Sequence, residues 1–180
     1  MGKGVIDWAA IPGNAAKILS SPGEFFEGMP KSGGFQEPFV FMVVMGFAAG
    51  VLQLLLKVLG LAPAVEADAA LSSVVVMPVT LAAFGFVEAA VLHLLWRLMG
   101  STETYETAYR CAAYLAVLIP FFVVLETFPL IGPATSVVLG MFFLVAASVS
   151  AHRVPYWKAW IVFGSVGGLL VFWIARGAGW

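Results

Sequence analysis

FVFMVVMGFAAGVLQLLLKVL, residues 39–59, begins directly after Pro38 and gives way to Gly60 and Pro63. Its only charge, Lys57, lies at its far end. A helix needs roughly 20 apolar residues to cross the ~30 Å hydrocarbon core of a bilayer, so this stretch reads as a membrane span. Four more stretches of the same kind follow. Ser72 to Met99 ends at Gly100 and carries Pro78 near its start, where a kink is expected. Thr107 to Phe128 carries Pro120 and stops at Pro129, Ile131 to Ala151 is the fourth, and Tyr156 to Ala175 the fifth. The third and fourth are separated only by the turn around Pro129 and Gly132, which predicts an antiparallel hairpin.

Composition points the same way. Of 180 residues, 62% are hydrophobic and 11% charged, with a mean hydropathy of +1.01. A soluble domain runs at about 45–50% apolar and about 25% charged, and a short chain cannot bury such an excess in a water-soluble core. The expected fold is an all-α, polytopic membrane bundle of five transmembrane helices with a short N-terminal interfacial helix. Residues 1–37 form the N-terminal segment and residues 38–176 the membrane domain. The net charge of −1 gives no footprint for nucleic acid. The single cysteine, Cys111, lies in an apolar segment, excludes an intrachain disulfide and reads as a small buried hydrophobe. Residues 1–37, broken by Pro12, Gly13, Pro22, Glu24 and Glu27, are read as containing no cleavable signal, so the first span is expected to act as an anchor.

Loop charges give a direction. Lys3, Lys17 and Lys31 precede the first span, Arg97 and Arg110 flank the second loop, and Arg153 and Lys158 flank the fourth. Seven of the nine cations therefore fall on one side, which the positive-inside rule places in the cytoplasm, with the C-terminus opposite. Tyr156, Trp157 and Trp160 at one end of the fifth span, and Trp173 and Trp180 at the other, suit interfacial belts. Ahead of the first span, Ser21-Pro22-Gly23-Glu24 has Ser at a capping position, Pro at the first helical residue and Glu three after the cap. Phe25, Phe26 and Met29 supply an apolar side for a short helix that lies in the interface or packs on the cytoplasmic loops.

Ionisable residues at membrane depth cost roughly 2.5–3.5 kcal/mol on insertion scales, so each calls for a partner or a purpose. Glu88 lies near the middle of the second span, His93 and Arg97 lie toward its cytoplasmic end, and Arg110 and Tyr114 enter the third span from the same side. These five residues are either a polar pathway for a proton, an ion or a small solute, or a structural network of buried hydrogen bonds with snorkelling arginines. Lys57 and Glu126, at the opposite ends of the first and third spans, are a candidate interfacial ion pair. Gly164 and Gly168 in the fifth span have the GxxxG spacing of close helix contacts, within the chain or in a homo-oligomer. His93 and His152 fall in different segments and no cluster has ligand spacing, so neither a metal nor a cofactor is expected. No activated nucleophile or catalytic motif presents itself.

Several stretches together resemble the Yip1 domain family. They are Ser21-Pro22-Gly23-Glu24-Phe25-Phe26, the segment from His93 to Gly100, Thr104-Tyr105-Glu106-Thr107 with Arg110 and Tyr114, the turn from Pro129 to Gly132, and His152-Arg153-Val154-Pro155 with Lys158 and Ala159. The resemblance implies five spans and a cytoplasmic N-terminus. Eukaryotic members are adaptors that bind Rab-type GTPases in traffic between endoplasmic reticulum and Golgi. The short tail here is more similar to bacterial members, which implies a bacterial inner membrane. The expected role is a non-enzymatic organiser or adaptor, acting through residues 1–37 and 100–107 on a membrane or cytoplasmic protein partner. A transporter or channel using Glu88 is the alternative. A third class, a lipid-handling protein, would hold lipid near the second and third spans.

Overall fold

The computed structural model describes residues 7–61 and 67–177, apart from the side chains of 67–71. Lys3, Pro63 and Trp180, used in the reading above, lie outside the described residues. Every regular element among the described residues is helical: α1 (Ala10–Ser20), α2 (Pro22–Gly28), α3 (Gln36–Val58), α4 (Ala67–Leu98), α5 (Tyr105–Leu115), α6 (Ile119–Leu125), α7 (Ile131–Ser150) and α8 (Tyr156–Gly177). Five helices are long and apolar enough to cross a membrane: Gln36–Val58, Ser72–Leu98, Tyr105–Leu125, Ile131–Ser150 and Tyr156–Gly177. They match the five expected spans within a few residues.

The third span is the axis of the bundle. Of its most apolar window 67% is buried inside the protein, against 11% for the second span and 17% for the fifth. It is built from α5 and α6 joined by a 3₁₀ turn at Ala116–Leu118. Pro120 accounts for the break, because it has no N–H to give and its ring crowds the carbonyl four residues back, that of Ala116. α4, by contrast, is continuous through Pro78. α3 packs along α4 and against α5 and α6, while α7 packs on α6 and α8. α6 and α7 are joined by a turn in which Leu130 has φ 65°, so the expected hairpin forms. Gly132 backs directly onto the Leu125 carbonyl and leaves no room for a side chain there.

Glycine also sets a close contact between the first two spans, and it is not at the pair singled out from the sequence. A Cβ at Gly50 would lie 2.5 Å from the Ser73 carbonyl oxygen, and one at Gly46 would lie 2.7 Å from Pro78 Cα. Backbone therefore meets backbone between α3 and α4, and Ser73 Oγ donates to the Gly50 carbonyl at 3.1 Å. Gly168, in contrast, has nothing of the protein near its missing Cβ, and Gly164 meets only Trp160 of its own helix. On α8 the contact falls to Gly167, which faces Met141 of α7. Spacing allowed both GxxxG pairs; the facing direction of each helix chose between them.

The N-terminal segment is folded onto the bundle. α2 packs on α7, and Ile18, Phe25, Phe26 and Met29 are all buried. Phe25 meets the Tyr114 ring edge-on at 5.0 Å. Of the two placements left open above, the apolar side of α2 thus faces protein. Ser21 stands at the N-cap and Pro22 opens the helix as expected, but the Ser21 side chain makes no capping bond.

Candidate functional site

The polar residues of this apolar chain gather at the end of the bundle that carries α1 and α2. The segment between α2 and α3 (residues 29–35) lies across the start of α5. Lys31 Nζ donates to Glu103 Oε1 at 2.5 Å and to the Ala151 carbonyl at 2.8 Å. The Gly34 N–H donates to Glu106 Oε1 at 2.6 Å, and Arg110 Nη2 donates to the Gly34 carbonyl at 2.8 Å. Gly33 and Gly34, at φ 125° and 90°, let this strap turn. A side chain at Gly33 would also meet Arg110 Nη2 at 3.2 Å. Thr107 Oγ1 donates to the Lys31 carbonyl at 3.3 Å. The strap and the end of α7 are thereby tied to the start of α5.

Arg110 is the centre of this arrangement. Its side chain is 2% exposed and lies 3.7 Å from Glu106 and 3.9 Å from Glu37. A buried guanidinium is tolerated only where carboxylates and carbonyls surround it. Tyr114 Oη donates to Glu37 Oε1 at 3.3 Å, extending the cluster one turn deeper.

A second layer lies beside it. His152 is buried, with Nδ1 3.1 Å from Ser101 Oγ and its ring stacked on Trp96 at 3.8 Å. Trp96 Nε1 in turn donates to Ser148 Oγ at 2.7 Å, joining α4 to α7. Burial pushes the His152 imidazole down to about 4, more than Glu103 holds it up, with His93 and Lys31 adding to the depression. His152 is therefore neutral at neutral pH.

The five residues read above as one polar pathway or one buried network are divided by the structure. Arg110 and Tyr114 belong to the cluster just described. Glu88 lies on another side of the third span, where it lines an apolar cavity of about 150 Å³ with Met42, Leu81, Ala112 and Leu144. The His93 ring stands edge-on to Tyr105 at 6.0 Å, and Arg97 is exposed. Lys57 and Glu126 do not pair: the ion pairs among the described residues are Lys31–Glu103, Arg110–Glu37 and Arg110–Glu106. Both side chains keep access to the surface, where an ion pair gains little over hydration. Cys111 is buried, as expected. No group of three or more His, Cys, Asp or Glu gathers among the described residues.

Reading single residues for membrane depth missed Lys31, Glu37, Glu103, Glu106 and the Trp96–Ser148–His152 layer. A signal was present in the opposite charges that flank different spans on one side of the membrane. What sequence lacks is the fold of 29–35 that brings them together.

A bundle of five apolar helices with most of its charges at one end defines an integral membrane protein. The Yip1 domain model matches residues 16–176. The chain belongs to the Yip1 family. Comparison with curated proteins and with solved structures gave no match. The stretches that carried the resemblance at His93–Gly100, Thr104–Thr107, Arg110 and His152–Pro155 meet at the end of the bundle described above.

Proposed function

We propose that this protein is a membrane organiser or adaptor whose working surface is the N-terminal end of the bundle, facing the cytoplasm. One observation carries the reading: the 29–35 strap and the start of α3 are held on α5 by a polar cluster centred on Arg110. Polar groups are thus spent on fixing the shape of one surface, while Glu88 stands apart in an apolar cavity with no hydrogen bond to the cluster. A fixed surface between the strap and residues 100–107 suits recognition of a membrane or cytoplasmic protein.

Photo-crosslinkers placed at the exposed Ser32 and Thr102, and at Phe128 on the opposite end as control, test this in native membranes. Discrete protein adducts at the first two sites, absent at the third, are expected. Equal labelling at both ends counts against the reading. A proton or ion flux in proteoliposomes that is abolished by Glu88→Gln replaces it with transport.

A further inference from the structure

Where α2 meets the loop between α7 and α8, two cavities adjoin. The first, about 280 Å³, is lined by Glu27, Lys31, Val149, Ser150 and Arg153. The second, about 180 Å³, shares Val149 and Ser150 with it and continues along α7 past Ala146 and Val145 to Phe142, with Tyr156 and Trp160 of α8 on its other wall. From Ser150 to Phe142 is eight helical residues, which carries the groove about 12 Å down the helix. The cavity that adjoins the polar one is walled by Tyr156 and Trp160, residues of the kind that mark the headgroup level of a bilayer. Polar at the membrane surface and apolar below it, the pair has the profile of a single phospholipid.

The charges specify the headgroup. Lys31 is already matched by Glu103, and with two of its three N–H groups committed to Glu103 and Ala151 it has one left to give. Arg153 and Glu27 are exposed, and neither belongs to an ion pair among the described residues. One free cation and one free carboxylate therefore border the same cavity. We infer that this crevice between α2, α7 and α8 binds a zwitterionic aminophospholipid, its phosphate held by Arg153 and the remaining Lys31 N–H, its ammonium by Glu27, and an acyl chain along α7. Arg153 has φ 53°, a left-handed conformation that costs a non-glycine residue energy and aims this side chain from the loop. The site borders the proposed adaptor surface through Lys31 but does not depend on that reading, and it is separate from the second and third spans, where the sequence placed a lipid-handling surface.

Native mass spectrometry on the full chain released from nanodiscs of equal phosphatidylethanolamine and phosphatidylglycerol tests the assignment. Wild type is expected to retain phosphatidylethanolamine preferentially. Arg153→Asn, chosen because Asn tolerates the left-handed backbone, lowers retention about tenfold, the scale of one charge-assisted hydrogen bond. Glu27→Gln shifts preference to phosphatidylglycerol, and Ala146→Phe, which fills the apolar groove, lowers retention of both lipids. Glu27 is exposed, so the headgroup shift reads specificity without a folding change. Retention that is absent, that favours phosphatidylglycerol in the wild type, or that is the same in wild type, Arg153→Asn and Glu27→Gln overturns the proposal.

Discussion

His152 is enclosed between Trp96 and Ser101 as a neutral imidazole held down to about 4, whereas the same side chain in an unfolded chain titrates near 6.5. Between those values the unfolded state binds the extra proton. The contribution of His152 to stability is therefore whole above about pH 6.5 and drains as pH falls toward 4, on the order of 3 kcal/mol in all. Thermal melts in detergent across this window should show the loss, and His152→Asn should flatten it; an unchanged slope in the variant would show that other groups titrate. Arg110 presents the converse case, a buried charge held by shared partners. Arg110→Met leaves Gly34 and Glu106 without their cation and is expected to cost about 2–3 kcal/mol. Glu37→Gln, at a carboxylate that is 57% exposed, should cost much less. Equal melting shifts for the two variants would remove Arg110 from the centre of the cluster.

At the scale of elements, α3 and α4 meet through backbone because Gly46 and Gly50 carry no side chain. Inside a bilayer, water does not drive helices together, so close van der Waals approach and interhelical hydrogen bonds supply the association. Gly50→Leu should separate the pair and destabilise by about 1–3 kcal/mol, the usual scale of overpacking. Gly168→Leu should stay within about 0.5 kcal/mol of wild type, since nothing of the protein lies near that position. Both are measured by unfolding in mixed micelles, and a larger effect at Gly168 would point to a contact with a second copy through α8. Pro120 belongs to the same scale. Its residue type shows in the sequence, but whether it kinks, breaks or leaves a helix intact depends on neighbours, and Pro78 and Pro120 differ in this: α4 continues and the third span does not.

For the whole molecule, the charged end carries Lys17, Lys31, Arg110, Arg153 and Lys158, and this asymmetry sets the expected insertion direction. A topology reporter fused after Arg176 should report the non-cytoplasmic side, and one at Ser32 the cytoplasm; the reverse pattern would overturn the orientation and move the proposed working surface outside. The bundle is also uneven. α8 makes its main helix contact with α7, so one side of the fifth helix is left to lipid, and the crevice at Arg153 opens where α2 meets the end of α7 and the loop that follows it.

Residues 39–59 and their four counterparts determined by themselves that the chain forms five spans, because the need for about 20 apolar residues per crossing is a property of length and composition. The hairpin at Pro129 was legible for the same local reason, a turn too short to allow anything but antiparallel helices. Which polar groups meet was not. Glu88 and Arg110 read alike as charges at membrane depth, yet one lines an apolar cavity and the other anchors the strap. Gly168 and Gly50 share one spacing, yet only Gly50 has a neighbour. Contacts of this kind depend on the rotation of each helix about its axis and on the path of residues 29–35. Both are set by packing between segments distant in sequence, and so only the tertiary structure decided them.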